Sequence, residues 1–191
     1  MRPPLALHTI IHSIPEDGTL VARKYRHVGT EGVMFAVDAI LGDAKYLFLS
    51  VEHRLSCFYQ CGDSYAFDAE SLIRKGAVLR MHDICWSDEW FALEKKVDTF
   101  DYRASQVKKF RKHVEKKGAT DLLDAVVRKA SEITLRGNRA IRFLRTPKRW
   151  LRIPGCYVSD TYPEVLVPRR LSLCDGGLIL RRDLLRGRQI A

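Results

Sequence analysis

Apolar positions recur along this chain at two periods, and the switches between them divide it into three stretches. Residues 5–14, "LALHTIIHSI", are β-branched and apolar and run into the turn "PEDG", which predicts a strand. "TLVARKYRHV", "GVMFAVDAI" and "KYLFLSVEH" follow, separated by "GTEG" and "LGDA", and predict an antiparallel meander. "GVMFAVDAI" also admits a helix, because a short apolar run satisfies either period. "FDAESLIRKG" begins with an Asp suited to N-capping and ends on Gly, the marks of a short helix, and "AVLRMHDICW" reads as the next strand.

Helical spacing then takes over. In "SDEWFALEKKVDTF", Ser87 stands at a capping position before two acids, and Trp90, Leu93, Val97 and Phe100 recur at intervals of three and four. From about Tyr102 to Lys117 a second helix carries a narrow stripe of Ala104, Val107, Phe110 and Val114, and Gly118 stops it. Thr120 is expected to cap a third, whose broad apolar face is Leu122, Leu123, Val126, Val127, Ala130 and Ile133. After Gly137-Asn138 the segments "RAIRFLR", "RWLRI", "CYVS", "EVLVPRRLSL" and "GLILRR" read as short strands, with Pro147, Pro154, Pro163 and Pro168 confining them to edges and turns. The expectation is an α+β fold in a single domain spanning residues 1–191, with central helices over about 87–136 packed on sheet from both ends.

Composition fits that expectation: 191 residues at 46% hydrophobic can build a sizeable core, which excludes a disordered chain. The start, "MRPPLALHTIIHSIPEDG", lacks the pattern of a signal peptide, and no run reaches the roughly 18 apolar residues of a membrane helix. Five cysteines in a chain of this size point to reduced thiols and a cytoplasmic setting.

Charge changes the picture more. The chain carries +10, and the excess is not spread evenly. Residues 1–102 hold 11 basic and 15 acidic side chains, residues 153–191 hold 6 and 4, and residues 103–152 hold 16 and 4, a local net of +12. Such a block predicts a surface built to meet an anion. Lys108, Lys109, Arg111, Lys112, Lys116 and Lys117 fill the positions outside the narrow stripe, Arg128 and Lys129 extend them, and "LRGNRAIRFLRTPKRWLR" adds Arg136, Arg139, Arg142, Arg145, Lys148, Arg149 and Arg152 around Phe143 and Trp150. Arginine grips phosphate with two prongs, and an aromatic ring among cations offers a base a flat face. The expected partner is therefore a nucleic acid, DNA or RNA, held by its backbone without catalysis. The match to a helix-turn-helix is poor, since Asp124 falls where a recognition helix buries an aliphatic residue. Two other readings compete: a solvated face whose aliphatic stems cover apolar surface, and a basic face that docks on an acidic protein partner, a charge split that would also suit a homo-oligomer.

Two constellations suggest metal chemistry. Cys57 and Cys61 precede His82 and Cys85 by twenty residues, two close pairs of the donors zinc takes. In "RMHDICWSDEWFALEKK", Asp83 on one strand and Glu94 with Lys96 on the next, with Glu70 as a further acid, resemble the acidic core of the PD-(D/E)xK nucleases, with His82 where that family has proline. That resemblance implies a divalent ion such as Mg held between carboxylates, and it requires residues 90–96 to be a strand. "VDAILGDAKYLFLSVEHR", with Asp38, Glu52 and Arg54, is a poorer version of the same pattern. His8 and His12 share a strand face with no third ligand near in sequence.

Overall fold

The protein is an α+β structure, seen here in a computed structural model that describes residues 5–10, 18–22, 35–52, 63–146, 163–172, 178–183 and 188–190. Ten strands form two antiparallel sheets among the described residues: β1 (Leu5–Ile10), β2 (Thr19–Val21), β3 (Tyr46–Glu52), β4 (Asp63–Asp68), β5 (Val78–Arg80), β6 (Thr134–Leu135), β7 (Glu164–Pro168), β8 (Arg170–Ser172), β9 (Leu178–Asp183) and β10 (Arg188–Ile190). Eight of them make one sheet in the order β10-β9-β4-β1-β3-β7-β5-β6, and β2 pairs with β8 in a separate ribbon. The N-terminal strands are antiparallel as expected, but their order is not that of a meander. β1 lies between β3 and β4, and strands from the C-terminal third fill both flanks.

The period-two pattern of "YLFLSVE" explains the central strand. Leu47, Leu49 and Val51 point to one face and are buried, while Phe48 points to the other. β7 and β5 are covered on both faces, so they read as unbroken apolar runs: Val165, Val167 and Leu79 join the first core, and Leu166 and Val78 are buried on the opposite face. Where β7 leaves the sheet, Arg169 takes a left-handed conformation with φ 64°. Both of its backbone groups are satisfied there: its N–H donates to the Lys45 carbonyl (2.8 Å) and its carbonyl accepts from the Ala22 N–H (2.7 Å).

Among the described residues there are six α-helices: α1 (Ala36–Leu41), α2 (Ala69–Arg74), α3 (Asp88–Lys96), α4 (Val107–Lys116), α5 (Thr120–Glu132) and α6 (Gly137–Leu144). They form two cores. The first unites α2, α6 and the β2–β8 ribbon with Leu47, Leu49, Tyr65, Phe67, Leu79 and Val165 of the sheet. The second is helical, built from Val37, Trp90, Leu93, Phe110, Val114, Leu123 and Val126 of α1, α3, α4 and α5. β6 pairs with β5 at the sheet edge, so the chain leaves the second core at the end of α5, passes that edge and enters the first core as α6.

Several elements differ from the sequence expectation. "GVMFAVDAI" ends in the helix α1. The strand foreseen in "AVLRMHDICW" stops at Arg80; Asp83 then caps a single 3₁₀ turn, Ile84–Trp86, by accepting from the Cys85 N–H (2.9 Å). "RAIRFLR" is helical, because its buried residues Ala140, Ile141 and Leu144 lie at intervals of one, three and four on one helix face. Thr120 is the first helical residue of α5 and the cap position belongs to Ala119. "RWLRI" and "CYVS" lie outside the described residues.

Candidate nucleic-acid interface

α4 begins after a short 3₁₀ turn at Ala104–Gln106 and is held by a seam on one side only. Phe110 and Val114 are buried, Val107 is half-buried, and the Tyr102 ring lies 5.5 Å from Phe110 and 5.4 Å from the His113 ring. His113 thus belongs to the seam. At 3.6 residues per turn, Lys108, Lys109, Lys112 and Lys116 occupy an arc of about 100° opposite it, with Arg111 on its flank. These five and Lys117 are all exposed. None forms an ion pair with another described residue. Lys108, Lys112 and Lys116 stand four apart in one row, about 12 Å long, and such like-charged neighbours repel by about 0.2–0.5 kcal/mol per pair.

The far end of α4 is fixed in direction. The Gly118 N–H donates to the Glu115 carbonyl (2.9 Å) and the Ala119 N–H to the Val114 carbonyl (2.9 Å), a Schellman closure that places Gly118 at φ 59° and buries Ala119. α5 follows at once, anchored by Leu123, Val126 and Ala130.

The remaining cations of residues 103–152 divide. Lys129 pairs with Glu89 of α3 at 3.5 Å, while Arg128 is exposed on the same helix. Arg145 is clamped on Glu70 of α2 through two hydrogen bonds of 2.7 Å, Nε to Oε1 and Nη2 to Oε2. That clamp holds the Glu70 carboxyl below its ordinary range and raises the guanidinium, with Arg74 adding a smaller attraction to Glu70. Arg136, Arg139 and Arg142 are exposed beside α6, which packs in the first core, whereas α4 packs in the second. A tract that is continuous in sequence is therefore split between the two cores. Phe143 is half-buried against the first core. Lys148, Arg149, Trp150 and Arg152 lie outside the described residues.

The metal constellations fare differently from the basic helix. Residues 90–96 lie in α3, capped by the Ser87 hydroxyl, which accepts from the Trp90 N–H (3.1 Å), so the strand that the nuclease pattern needs is absent. Glu94 accepts from the N–H (3.0 Å) and the hydroxyl of Thr99; Lys96, two positions on, is exposed on another side of the helix. With Asp83 spent on its own turn and Glu70 on Arg145, each proposed acid already has a protein partner. Asp38 likewise caps its own helix by accepting from the Phe35 N–H (2.9 Å). Glu52 ends β3, and Arg54 lies outside the described residues, as do His12, Cys57 and Cys61; His8 is in β1.

Of the zinc set, His82 is buried with Nδ1 3.0 Å from the Asp83 carbonyl, and Cys85 is half-buried. Burial, followed by the Asp83 and Asp38 carboxylates, pushes the Cys85 thiol far up, the opposite of a ready thiolate ligand. Among the described residues no three His, Cys, Asp or Glu side chains are grouped to hold a metal.

Sequence reading missed a buried ionic cluster on the second face of the sheet. Arg80 is 4% exposed, and its guanidinium donates to both oxygens of Asp43, at 3.0 and 2.8 Å. Glu164 stands directly opposite Arg80 on β7, with a sealed Oε2 that has no hydrogen-bond partner among the described residues. Burial pushes its carboxyl well up, the Asp83 and Asp43 charges add to this, and Arg80 opposes it. The signal was a lone Arg inside the apolar run "AVLRM".

Taken together, fold and site define an α+β protein with a one-sided basic helix and an ionic cluster sealed beneath the sheet. No protein-family model, curated protein or solved structure matches the chain.

Proposed function

We propose that this protein binds nucleic acid without catalysing a reaction on it, through contacts of α4 with the phosphate backbone. The observation that carries the reading is the set of six exposed cations at Lys108, Lys109, Arg111, Lys112, Lys116 and Lys117, without ion pairs among the described residues. A helix that tolerates its own repulsion is relieved by an anion, and a polyanion relieves several cations at once. Lysines arranged in a row read charge and spacing; they do not select bases, so the expected binding is insensitive to sequence. DNA and RNA share this chemistry.

The test is fluorescence anisotropy with a short generic DNA duplex and a matching RNA at about 50 mM salt, where backbone contacts are strongest. Binding is expected for the natural protein, and the combined Lys108→Gln, Lys112→Gln, Lys116→Gln variant is expected to lose about tenfold or more. Absence of binding at that salt, or full affinity in the triple variant, would contradict the reading.

A further inference from the structure

α6 carries a second part of the basic tract, in arginine instead of lysine. Between Glu132 and Asp160 the sequence holds seven basic side chains and no acidic one. Four of the seven belong to α6 and its ends: Arg136 at the N-cap, Arg139 and Arg142 within the helix, and Arg145 at the C-cap. Ala140, Ile141 and Leu144 bury one face of the helix in the first core. At about 100° per residue, Arg139 and Arg142 fall on either side of the line directly opposite that face. Arg136 stands three positions before them and Arg145 three after, so the row winds across the outer face with a rise of about 4.5 Å from each arginine to the next.

Arg145 is engaged by Glu70. Arg136, Arg139 and Arg142 are exposed and form no ion pair with another described residue. Residues three apart are neighbours on a helix surface, so these arginines repel one another as the lysines of α4 do. A guanidinium keeps its charge and grips a phosphate with two prongs, which makes phosphate the anion that best relieves the row.

α5 stands between the two basic helices in the chain, and its outer face opposes them in sign. Asp121, Asp124, Arg128 and Glu132 are exposed there at intervals of three, four and four, three carboxylates against a single arginine. None of the three acids forms an ion pair with another described residue. One polyanion followed along α4, α5 and α6 would meet these like charges, whereas two polyanions, one on each basic helix, avoid them.

We propose that α6 is a second nucleic-acid contact and that the protein bridges two separate duplex segments, one on the lysines of α4 and one on the arginines of α6. The proposal rests on the reading of α4 as a backbone contact and adds a second site to it.

A capture experiment tests it. A DNA duplex of about 12 base pairs is fixed to beads, the full chain is added at about 50 mM salt, and a fluorescent duplex of the same length is then offered. The natural protein is expected to retain the fluorescent duplex, and isothermal titration calorimetry to give two duplexes per chain. The Arg136→Gln, Arg139→Gln, Arg142→Gln variant is expected to bind one duplex per chain and to retain the second about tenfold less or weaker. The double variant Arg139→Gln, Arg142→Gln, which leaves the cap residue in place, is expected to show the same loss and serves if the triple variant fails to fold. The α4 triple glutamine variant is likewise expected to fall to one duplex per chain. The two readings fail differently. A natural protein that binds no duplex removes the α4 reading and the bridge with it. One duplex per chain with no second duplex captured, or capture that survives the α6 substitutions because two copies of the chain join the duplexes, overturns the α6 site alone.

Discussion

Arg80 shows what a single charged side chain demands of its surroundings. It sits in a strand whose three residues are all buried, and only the two-pronged contact with Asp43 makes that position tolerable. Removing one partner of a buried pair strands the other charge, at a cost of about 3–5 kcal/mol. Asp43→Ala is therefore expected to destabilise by that amount in urea denaturation, and adding Arg80→Met to recover most of it. Glu164 gives a pH signature. Its folded carboxyl is pushed well above the ordinary range by burial. Between the unfolded pKa, about 4.3, and the raised folded one, the native state keeps a proton that the unfolded chain has shed, so stability falls as pH rises, by at most about 1.4 kcal/mol per unit. Glu164→Gln removes that loss. Its stability relative to the natural protein is expected to improve steadily from about pH 4 upward; a difference that stays flat with pH would contradict the assignment.

At the scale of elements, the turn between α4 and α5 fixes how the basic face is presented. Gly118 holds φ 59°, and nothing lies within 4 Å of where a Cβ would be, so Gly118→Ala adds backbone strain without a steric clash. A loss of about 1–2 kcal/mol in thermal or urea denaturation is expected, and a neutral result would show that the closure adapts. The same region shows which elements are legible in sequence. α2, α3, α4 and α5 follow from capping residues, helical spacing and a terminal glycine, all local signals, and the Asp68 and Ser87 caps are present as hydrogen bonds. α6 was hidden because "RAIRFLR" follows Gly137-Asn138, which reads as a turn, and seven positions are too few to separate a helical from a strand period. The segment 81–86 looked like strand because it is apolar, but it is apolar to fill the second core from a turn, where Ile84 is buried. Strand order was not legible: pairings such as β4 with β9 join distant segments that carry no mutual signal in sequence.

Across the whole molecule, local charge counts located the basic excess but not its shape. The count over residues 103–152 joined cations that β6 separates by carrying the chain past the sheet edge, and it included Lys129 and Arg145, which are held by Glu89 and Glu70. Conversely, the cluster of Arg80, Asp43 and Glu164 exists only through tertiary contact. α4 remains as the helix on which six cations are exposed together and lack ion pairs among the described residues. The most direct measurement of its role is the affinity for a generic DNA duplex as a function of salt. If the six cations of α4 displace counterions, log K falls against log salt with a slope near −5, and the Lys108→Gln, Lys112→Gln, Lys116→Gln variant has a slope shallower by about 3. A slope near zero, or one that the triple variant leaves unchanged, would contradict the account.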